Sequence, residues 1–415
     1  METSSKPSLS QQLLGWGVAL ALAVFVGMAL ARTLGEVRYQ PTSDEGYYLK
    51  YMRDVGEQGL GAFPDLFRYY LGDARHHIFP PPSRVGFAVV SAAWGVATEA
   101  SLPALSKLSL ASHLLLILAV YGFASRWFGV ARALLATALV ATSTLCLGLA
   151  RHALTDSFIT LSQFLVLALF VEYVRAPRSL ARTLAFGAAF TFAILTKEIA
   201  VLLAVPLAAW AAVERWQAGR DVPVARTLIV LAAPVVATIL VWVVAAGSPI
   251  LLYRVMRIVL LSPATNDYAI RYGSGGWFRY PVDELLMSPT ATLTGIAAVA
   301  IALWRWSRRE YLSVPVCLSL VYVGQLLCLA PFTKNLRYVT LLEVPLRVLA
   351  VLLLWELFAA ERSRTRLAMC CAAVALLCWT SWSDYQLIWL KFHGYDPITA
   401  LLVGVRELVP MTPGN

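Results

Sequence analysis

The chain has 415 residues, of which 59% are hydrophobic and 14% charged, and its formal net charge is +10. Soluble domains carry roughly 25% charged residues, so this composition excludes an ordinary soluble protein and indicates an integral membrane protein. The Lys and Arg residues lie mostly in short loops between apolar spans, which is the positive-inside pattern and not a nucleic-acid-binding footprint. Apolar stretches recur from end to end, so we expect one membrane domain over residues 1–415 and no separate soluble domain.

The first apolar span covers residues 13–31. Its end, Ala29-Leu30-Ala31, resembles a signal-peptidase site, but the apolar core is longer than that of a signal peptide, and Lys6 alone marks a basic region before it. We therefore expect an uncleaved signal anchor with its N-terminus in the cytoplasm.

The segment at residues 85–97 decides the topology, because it is apolar but short for a membrane span. If it crossed the membrane, the basic loops would fall on both sides, against the rule that they stay in the cytoplasm. If it is an embedded or interfacial helix inside one long first loop, every basic cluster lies on the cytoplasmic side, and we adopt this arrangement. The clusters are Arg126/Arg132, Arg175/Arg178/Arg182, Arg215/Arg220/Arg226, Arg305/Arg308/Arg309 and Arg362/Arg364/Arg366.

The chosen arrangement predicts an all-α polytopic membrane protein with about 11 transmembrane helices. The first loop, residues 33–103, and a late loop, residues 247–289, are then extracytoplasmic, together with the turns at residues 151–156, 196–198 and 331–338. Nearly all the unusual polar residues converge on this face, where a functional site is therefore expected. The predicted spans after the first are residues 104–125, 133–149, 157–174, 184–196, 199–213, 227–246, 291–304, 311–330, 339–359 and 367–381.

Other polar and sulfur-containing groups favour structural roles. Glu343 and Arg347 are four residues apart inside a span, so we expect a mutually satisfied ion pair. The six cysteines lie in or beside apolar segments without metal-site spacing, which favours helix-packing thiols over redox chemistry. They are Cys146, Cys317, Cys328, Cys370, Cys371 and Cys378.

An adjacent acidic pair, Asp44-Glu45, lies just beyond the first span and is followed by Tyr47 and Tyr48. Carboxylates at a membrane face suit a site that takes a proton from a hydroxyl or holds a cation beside a bound sugar, and the tyrosines would contact that substrate. The alternative is that the pair caps the start of an interfacial helix, since carboxylates are favoured there.

Six motifs keep one order along residues 10–345. They are Asp44-Glu45-Gly46-Tyr47-Tyr48, Pro80-Pro81-Pro82, Arg126-Trp127-Phe128-Gly129, Ala150-Arg151 with Leu154-Thr155-Asp156, Leu195-Thr196-Lys197-Glu198, and Arg337-Tyr338. This ordered set resembles the GT-C superfamily of polyprenyl-phosphate-sugar-dependent glycosyltransferases. Within it, the set is similar to the group that holds protein O-mannosyltransferases and the lipid A aminoarabinose transferase.

The resemblance implies a GT-C-like bundle that binds a lipid-linked sugar at the outer leaflet. It implies that Asp44 is the catalytic first-loop acid and that Asp156 is a second acid, with Glu45 counted among the catalytic candidates. It also places Lys197 and Arg337-Tyr338 at donor phosphate-binding positions. Alternatives remain for two of these residues: Asp156 could cap the helix that follows it, and Lys197 could be a snorkelling anchor.

Arg84 is a further phosphate candidate, chosen only because it lies beside the proline motif. Relatives often carry a basic residue before or within this motif, whereas Arg84 follows it. His76 and His77 precede the motif; they are candidates for substrate binding, or for coordinating a divalent cation with Glu45. A third metal ligand at suitable spacing is missing, so metal dependence stays open.

These inferences predict an inverting glycosyltransferase that moves a sugar from a polyprenyl-phosphate donor to an acceptor hydroxyl at the outer face of a membrane. The expected location is a bacterial inner membrane, with undecaprenyl phosphate as carrier, or dolichyl phosphate in another source. The acceptor is a lipid, glycan or protein, and the sugar is not indicated. The alternatives are a secondary transporter or lipid flippase, which should show internal repeats, and a non-catalytic subunit with the same fold.

Overall fold

The computed structural model describes residues 8–217, 219, 223–261, 270, 273 and 275–391. These residues form helices and no strand, which confirms the all-α prediction for this part of the chain. The helices are α1 (Leu9–Ala31), α2 (Asp44–Gln58), α3 (Phe63–Gly72), α4 (Val85–Thr98), α5 (Leu102–Phe128), α6 (Val130–Ala141), α7 (Thr144–Leu149), α8 (Asp156–Arg175), α9 (Leu180–Thr196), α10 (Ala204–Gln217), α11 (Val224–Ala246), α12 (Pro249–Leu261), α13 (Arg279–Met287), α14 (Pro289–Ser307), α15 (Ser313–Leu329), α16 (Glu343–Leu357) and α17 (Ser363–Tyr385).

Several helical segments are long and apolar enough to cross a membrane, as expected for an integral membrane protein. The described residues contain 6 of them: Leu9–Glu36, Leu102–Phe128, Asp156–Arg175, Glu198–Gln217, Val224–Ala246 and Ser363–Lys391. Shorter apolar helices are Val85–Thr98, Val130–Ala141, Leu180–Thr196 and Ser313–Leu329. The figure of about 11 spans and the sidedness of the loops therefore stay predictions.

One predicted span, residues 133–149, is not a single helix. The helix is interrupted between α6 and α7, where the Ser143 hydroxyl accepts a hydrogen bond from the Cys146 N–H at 3.3 Å. The same hydroxyl donates to Glu343 Oε2 at 2.7 Å. A capping serine with a distant carboxylate as partner ends one helix and begins the next, and apolar periodicity does not reveal this. Likewise, α16 begins at Glu343 and not at residue 339, after the short 3-10 turn Thr340–Leu342.

The late loop, residues 247–289, contains α12 and α13 in its described part. Its Asn266-Asp267-Tyr268 stretch lies outside the described residues.

Helix α4 is the short apolar helix that the topology depends on. It has 14 residues and buries Phe87, Ala88 and Ala92. It packs against α2 and α9, and the Tyr51 hydroxyl of α2 donates to the Pro80 carbonyl at 2.6 Å just before α4. The predicted helix is therefore present, and its packing joins the first loop to the body of the bundle.

The six cysteines are free thiols. Cys146, Cys317 and Cys370 are buried, as helix-packing residues should be, whereas Cys371 is exposed.

Arg347 and Glu343 form the expected ion pair, with Nε and Oε2 2.8 Å apart and side chains 2% and 3% exposed. The guanidinium also donates to the Leu139 carbonyl at 3.2 Å and to the Ser381 and Ser288 hydroxyls at 3.1 and 3.3 Å. A buried charge needs such a complete set of partners. This network ties α16 to α6, to α17 and to the start of α14.

We predict that Arg347→Ala destabilises the bundle by about 3 kcal/mol, because it leaves the Glu343 carboxylate charged, buried and without its cation. Thermal unfolding of the purified protein in detergent measures the effect. The exposed Arg364→Ala, with a matched loss of charge, should leave the midpoint within about a degree, because surface charges contribute little. Equal midpoints for the two variants would contradict the structural role of Arg347.

Candidate active site

Asp44 opens helix α2 directly after a tight turn. A Cβ at Gly46 would lie 1.8 Å from the Pro41 carbonyl oxygen, so only glycine allows the chain to close there. The Gln40 N–H donates to Glu45 Oε2 at 2.6 Å within the same turn. The turn leaves the Asp44 side chain 23% exposed, so it is accessible at the helix start.

Asp156 opens helix α8 and is almost completely enclosed, with its side chain 1% exposed. The turn before it is fixed from α5, because the Ser106 hydroxyl donates to the Arg151 carbonyl at 2.7 Å. The Ser109 hydroxyl donates to the Leu154 carbonyl at 2.9 Å. The second predicted acid therefore sits on a rigid support.

The two acids are joined by two basic side chains. Lys197 Nζ lies 2.8 Å from Asp156 Oδ1, and Arg337 Nη1 lies 2.7 Å from Asp44 Oδ2 and 3.8 Å from Asp156 Oδ2. We call Asp44, Arg337, Asp156 and Lys197 the charge ladder. Its two carboxylates and two cations come from four separate parts of the chain, and the structure brings together residues that the sequence analysis selected one by one.

Tyr338 extends the ladder. The Lys197 ammonium lies 5.0 Å from the centre of its ring, at the distance of a cation–π contact. Both Tyr338 and Arg337 belong to the short 3-10 turn Leu336–Tyr338, which Asn335 begins by accepting the Arg337 N–H at 3.0 Å. Burial raises the pKa of Tyr338, so its hydroxyl stays protonated.

Arg84 and Tyr48 form a second group beside the ladder. Arg84 donates to the Tyr48 hydroxyl, and its Nε lies 3.4 Å from Glu198 Oε2. The Tyr48 and Thr155 hydroxyls are 3.2 Å apart, one residue from Asp156. The pKa of Arg84 is raised, because the electrostatic effect of Tyr48 and Glu198 outweighs burial.

Glu198 is a residue that the sequence analysis did not select, although it lies next to Lys197 in a quoted motif. Its carboxylate accepts from the Ser83 hydroxyl as well as from Arg84. The Trp242 indole N–H donates to the Ser83 carbonyl at 2.7 Å. Glu198 therefore holds the segment after the proline motif, and its position next to a predicted phosphate ligand was the available signal.

Glu45 has different partners from its neighbour Asp44. Its carboxylate is buried and accepts from His152 Nδ1 at 3.2 Å and from the Ala153 N–H at 3.1 Å. Burial opposes ionisation, but the hydrogen bonds from His152, Gln40 and Ala153 outweigh it and lower the pKa of Glu45. Glu45 is therefore a charged hydrogen-bond acceptor here.

Tyr47, His76 and His77 lie in an aromatic group on the first loop. Tyr47 stacks on Phe79 with ring centres 4.3 Å apart. His76 stacks on Tyr69 at 4.1 Å, and its Nδ1 is 2.8 Å from the Tyr69 carbonyl. Burial raises the pKa of Tyr47 to about 12, so this phenol stays neutral and does not act as a base near neutral pH.

The candidate site residues described above do not fit a divalent metal. Within the described ranges, no group of three or more His, Cys, Asp or Glu side chains could hold an ion, and Glu45, His76 and His77 do not form one. In the ladder, Arg337 and Lys197 already neutralise both carboxylates. A divalent cation placed between the acids would meet two positive charges at close range.

Comparison with known proteins gives a family match and structural neighbours. A family model described as "Dolichyl-phosphate-mannose-protein mannosyltransferase" matches residues 93–242. The sequence matches none of the curated proteins with which it was compared.

Two solved structures share the fold at low identity. ArnT from Cupriavidus metallidurans bound to undecaprenyl phosphate is 15% identical, with a TM-score of 0.57 over 96% of this chain and 75% of that one. The archaeal oligosaccharyltransferase AglB from Archaeoglobus fulgidus, in complex with an inhibitory peptide and a dolichol-phosphate, is 12% identical, with a TM-score of 0.57 over 89% of this chain. This chain spans 55% of the length of AglB. The protein therefore shares the fold of these two structures, in agreement with the fold that the resemblance of its ordered motifs implies.

Proposed function

We propose that the protein is an inverting glycosyltransferase that moves a sugar from a polyprenyl-phosphate donor to an acceptor hydroxyl at the outer face of a membrane. The observation that carries the proposal is the charge ladder: an accessible carboxylate, Asp44, lies within 2.7 Å of a guanidinium, beside a buried Asp156–Lys197 pair. A base for the acceptor and cations for a phosphate are therefore adjacent.

The transfer is a single displacement. The acceptor oxygen forms a bond to the anomeric carbon while the bond from that carbon to the phosphate oxygen breaks, and the configuration inverts. The acceptor proton passes to the Asp44 carboxylate, which contacts Arg337 through Oδ2. The bonding electron pair leaves with the polyprenyl phosphate, which needs no proton, so one carboxylate is sufficient for the acid–base chemistry.

The leaving phosphate needs its charge compensated. Arg337 is 17% exposed where it contacts Asp44, and Lys197 lies on the other side of Asp156. Bidentate contact from a guanidinium suits a phosphate, and a partly enclosed site strengthens the attraction. Arg84 is a further candidate outside the ladder, with its Nε 3.4 Å from Glu198 Oε2.

The relatives support a lipid-linked donor. The matching family is named for dolichyl-phosphate-mannose, and the two structural neighbours hold dolichol-phosphate and undecaprenyl phosphate. We extend this class of carrier to the present chain, with undecaprenyl phosphate in a bacterial inner membrane, a cytoplasmic N-terminus and the ladder on the extracytoplasmic side. The acceptor is a lipid, glycan or protein hydroxyl.

Asp44 is the proposed base, and its replacement by asparagine tests this role. Asp44→Asn should lower turnover of a polyprenyl-phosphate sugar by roughly 10²–10⁴-fold while leaving donor binding intact, because the amide accepts no proton from the acceptor. Mass spectrometry of the lipids bound to each protein, before and after incubation with a total membrane lipid extract, measures both properties.

The matched control is Asp65→Asn, which removes an exposed carboxylate from α3 in the same loop. Wild type and this control should consume the donor, while Asp44→Asn holds it intact. If none of the three retains or consumes a polyprenyl-phosphate sugar and a different solute or lipid binds instead, the transporter or flippase alternative replaces the transferase.

Arg337 is the proposed phosphate ligand, and its replacement by lysine tests this role. Arg337→Lys keeps the positive charge but loses the planar guanidinium that suits bidentate contact with a phosphate, so we expect the KM for the donor to rise roughly tenfold. Steady-state kinetics with a short-chain polyprenyl-phosphate sugar measures the change. Arg75→Lys, at an exposed arginine paired with Asp73, is the control. An unchanged KM in Arg337→Lys would place the phosphate elsewhere.

A further inference from the structure

Glu45 follows Asp44 in the sequence, but both of its carboxylate oxygens are engaged away from the charge ladder. Oε2 accepts from the Gln40 N–H at 2.6 Å. Oε1 accepts from the Ala153 N–H at 3.1 Å and from His152 Nδ1 at 3.2 Å. The residue is 4% exposed. A buried carboxylate with three donors is poorly placed to take a proton from an incoming acceptor.

The three donors belong to the two segments that carry the acids of the ladder. Gln40 lies in the turn that leads into α2, where Asp44 is the first residue. His152 and Ala153 lie in the turn that leads into α8, where Asp156 is the first residue. The Glu45 carboxylate therefore joins the start of α2 to the start of α8, in addition to the contact between the Tyr48 and Thr155 hydroxyls at 3.2 Å.

The turn before α8 is anchored without help from Glu45. Ser106 and Ser109 of α5 hold the Arg151 and Leu154 carbonyls, and Arg151 Nη2 donates to the Thr33 carbonyl at 2.5 Å. At the start of α2, Ser43 makes no side-chain cap, and the Gln40 N–H of the preceding turn donates to Glu45. Loss of the Glu45 contacts should therefore displace Asp44 and leave Asp156 in place.

We propose that Glu45 is a positioning residue: its carboxylate sets Asp44 against Asp156 and Arg337 and takes no part in proton transfer. The proposal rests on the proposed function for its kinetic consequences, while the hydrogen bonds it invokes are independent of that function. Misplacement of a reacting group by about 1 Å costs roughly 100-fold in rate, so a small shift of α2 is sufficient to matter.

The test compares Glu45→Gln with three other variants. A glutamine amide has only one oxygen, so it turns its NH₂ group toward one of the N–H donors that Glu45 accepts from. Asp44→Asn represents loss of the base, and Glu57→Gln makes the same substitution at an exposed position of α2. His152→Ala removes one donor and keeps the buried carboxylate, so it replaces Glu45→Gln if that variant does not fold.

Two readouts separate positioning from chemistry and from simple destabilisation. The pH profile of kcat, together with donor affinity, is measured on folded protein with a short-chain polyprenyl-phosphate sugar. Amide hydrogen exchange at Gln40 and Ala153 is measured without substrate. We expect kcat in Glu45→Gln to fall 10–100-fold, while donor affinity stays within twofold of wild type. The decrease of kcat toward low pH, which is the acidic limb of the profile, should be retained. Both amides should exchange faster, while His152→Ala shows a smaller fall in kcat and Glu57→Gln matches wild type.

Three results would overturn the proposal. Loss of the acidic limb in Glu45→Gln, as in Asp44→Asn, would give Glu45 a chemical role. Wild-type kcat in Glu45→Gln, or in His152→Ala if Glu45→Gln does not fold, would remove the positioning role. Unchanged hydrogen exchange at the Gln40 and Ala153 amides would show that Glu45 does not hold these two groups by hydrogen bonds. If wild type itself turns over no such donor, the proposed function fails, and the exchange measurement still decides whether Glu45 joins the two segments.

Discussion

The site depends on the compensation of Asp156. A carboxylate with 1% exposure is stable in its ionised form only when cations and hydrogen bonds replace the water it has lost. Lys197 supplies one cation at 2.8 Å, and Arg337 contributes from 3.8 Å while holding Asp44 at 2.7 Å. This requirement brings the start of α2, the start of α8, the segment after α9 and the turn before α16 to one place.

The exposure of its side chains distinguishes this site from the buried ion pair between Arg347 and Glu343. Arg347 and Glu343 are 2% and 3% exposed, and the guanidinium has additional partners on three other segments. Asp44 and Arg337 remain 23% and 17% exposed, so an incoming molecule can reach them. Both arrangements satisfy buried charge. Of these two arrangements, the charge ladder is the one with accessible side chains, and this accessibility is why we propose it as the active site.

The sequence predicted the parts of the site better than their connections. Asp44, Asp156, Lys197 and Arg337 were selected because they fall in motifs whose order resembles that of the GT-C superfamily. The pairing of Arg84 with Glu198 and of Glu45 with His152 joins residues about a hundred positions apart, and periodicity carries no information about such contacts. The break of the predicted span at residues 133–149 was missed for the same reason, since Ser143 is stabilised by the distant Glu343.

The most direct test of the account is an experimental structure of the protein with undecaprenyl phosphate bound, determined by electron cryomicroscopy in a lipid nanodisc. We expect the phosphate to contact the Arg337 guanidinium and to lie on the Lys197 side of the charge ladder. An acceptor hydroxyl placed next to the donor sugar should then be within hydrogen-bond reach of Asp44. A phosphate bound away from Arg337 and Lys197, with Asp44 and Arg337 inaccessible to the donor, would contradict the proposed active site.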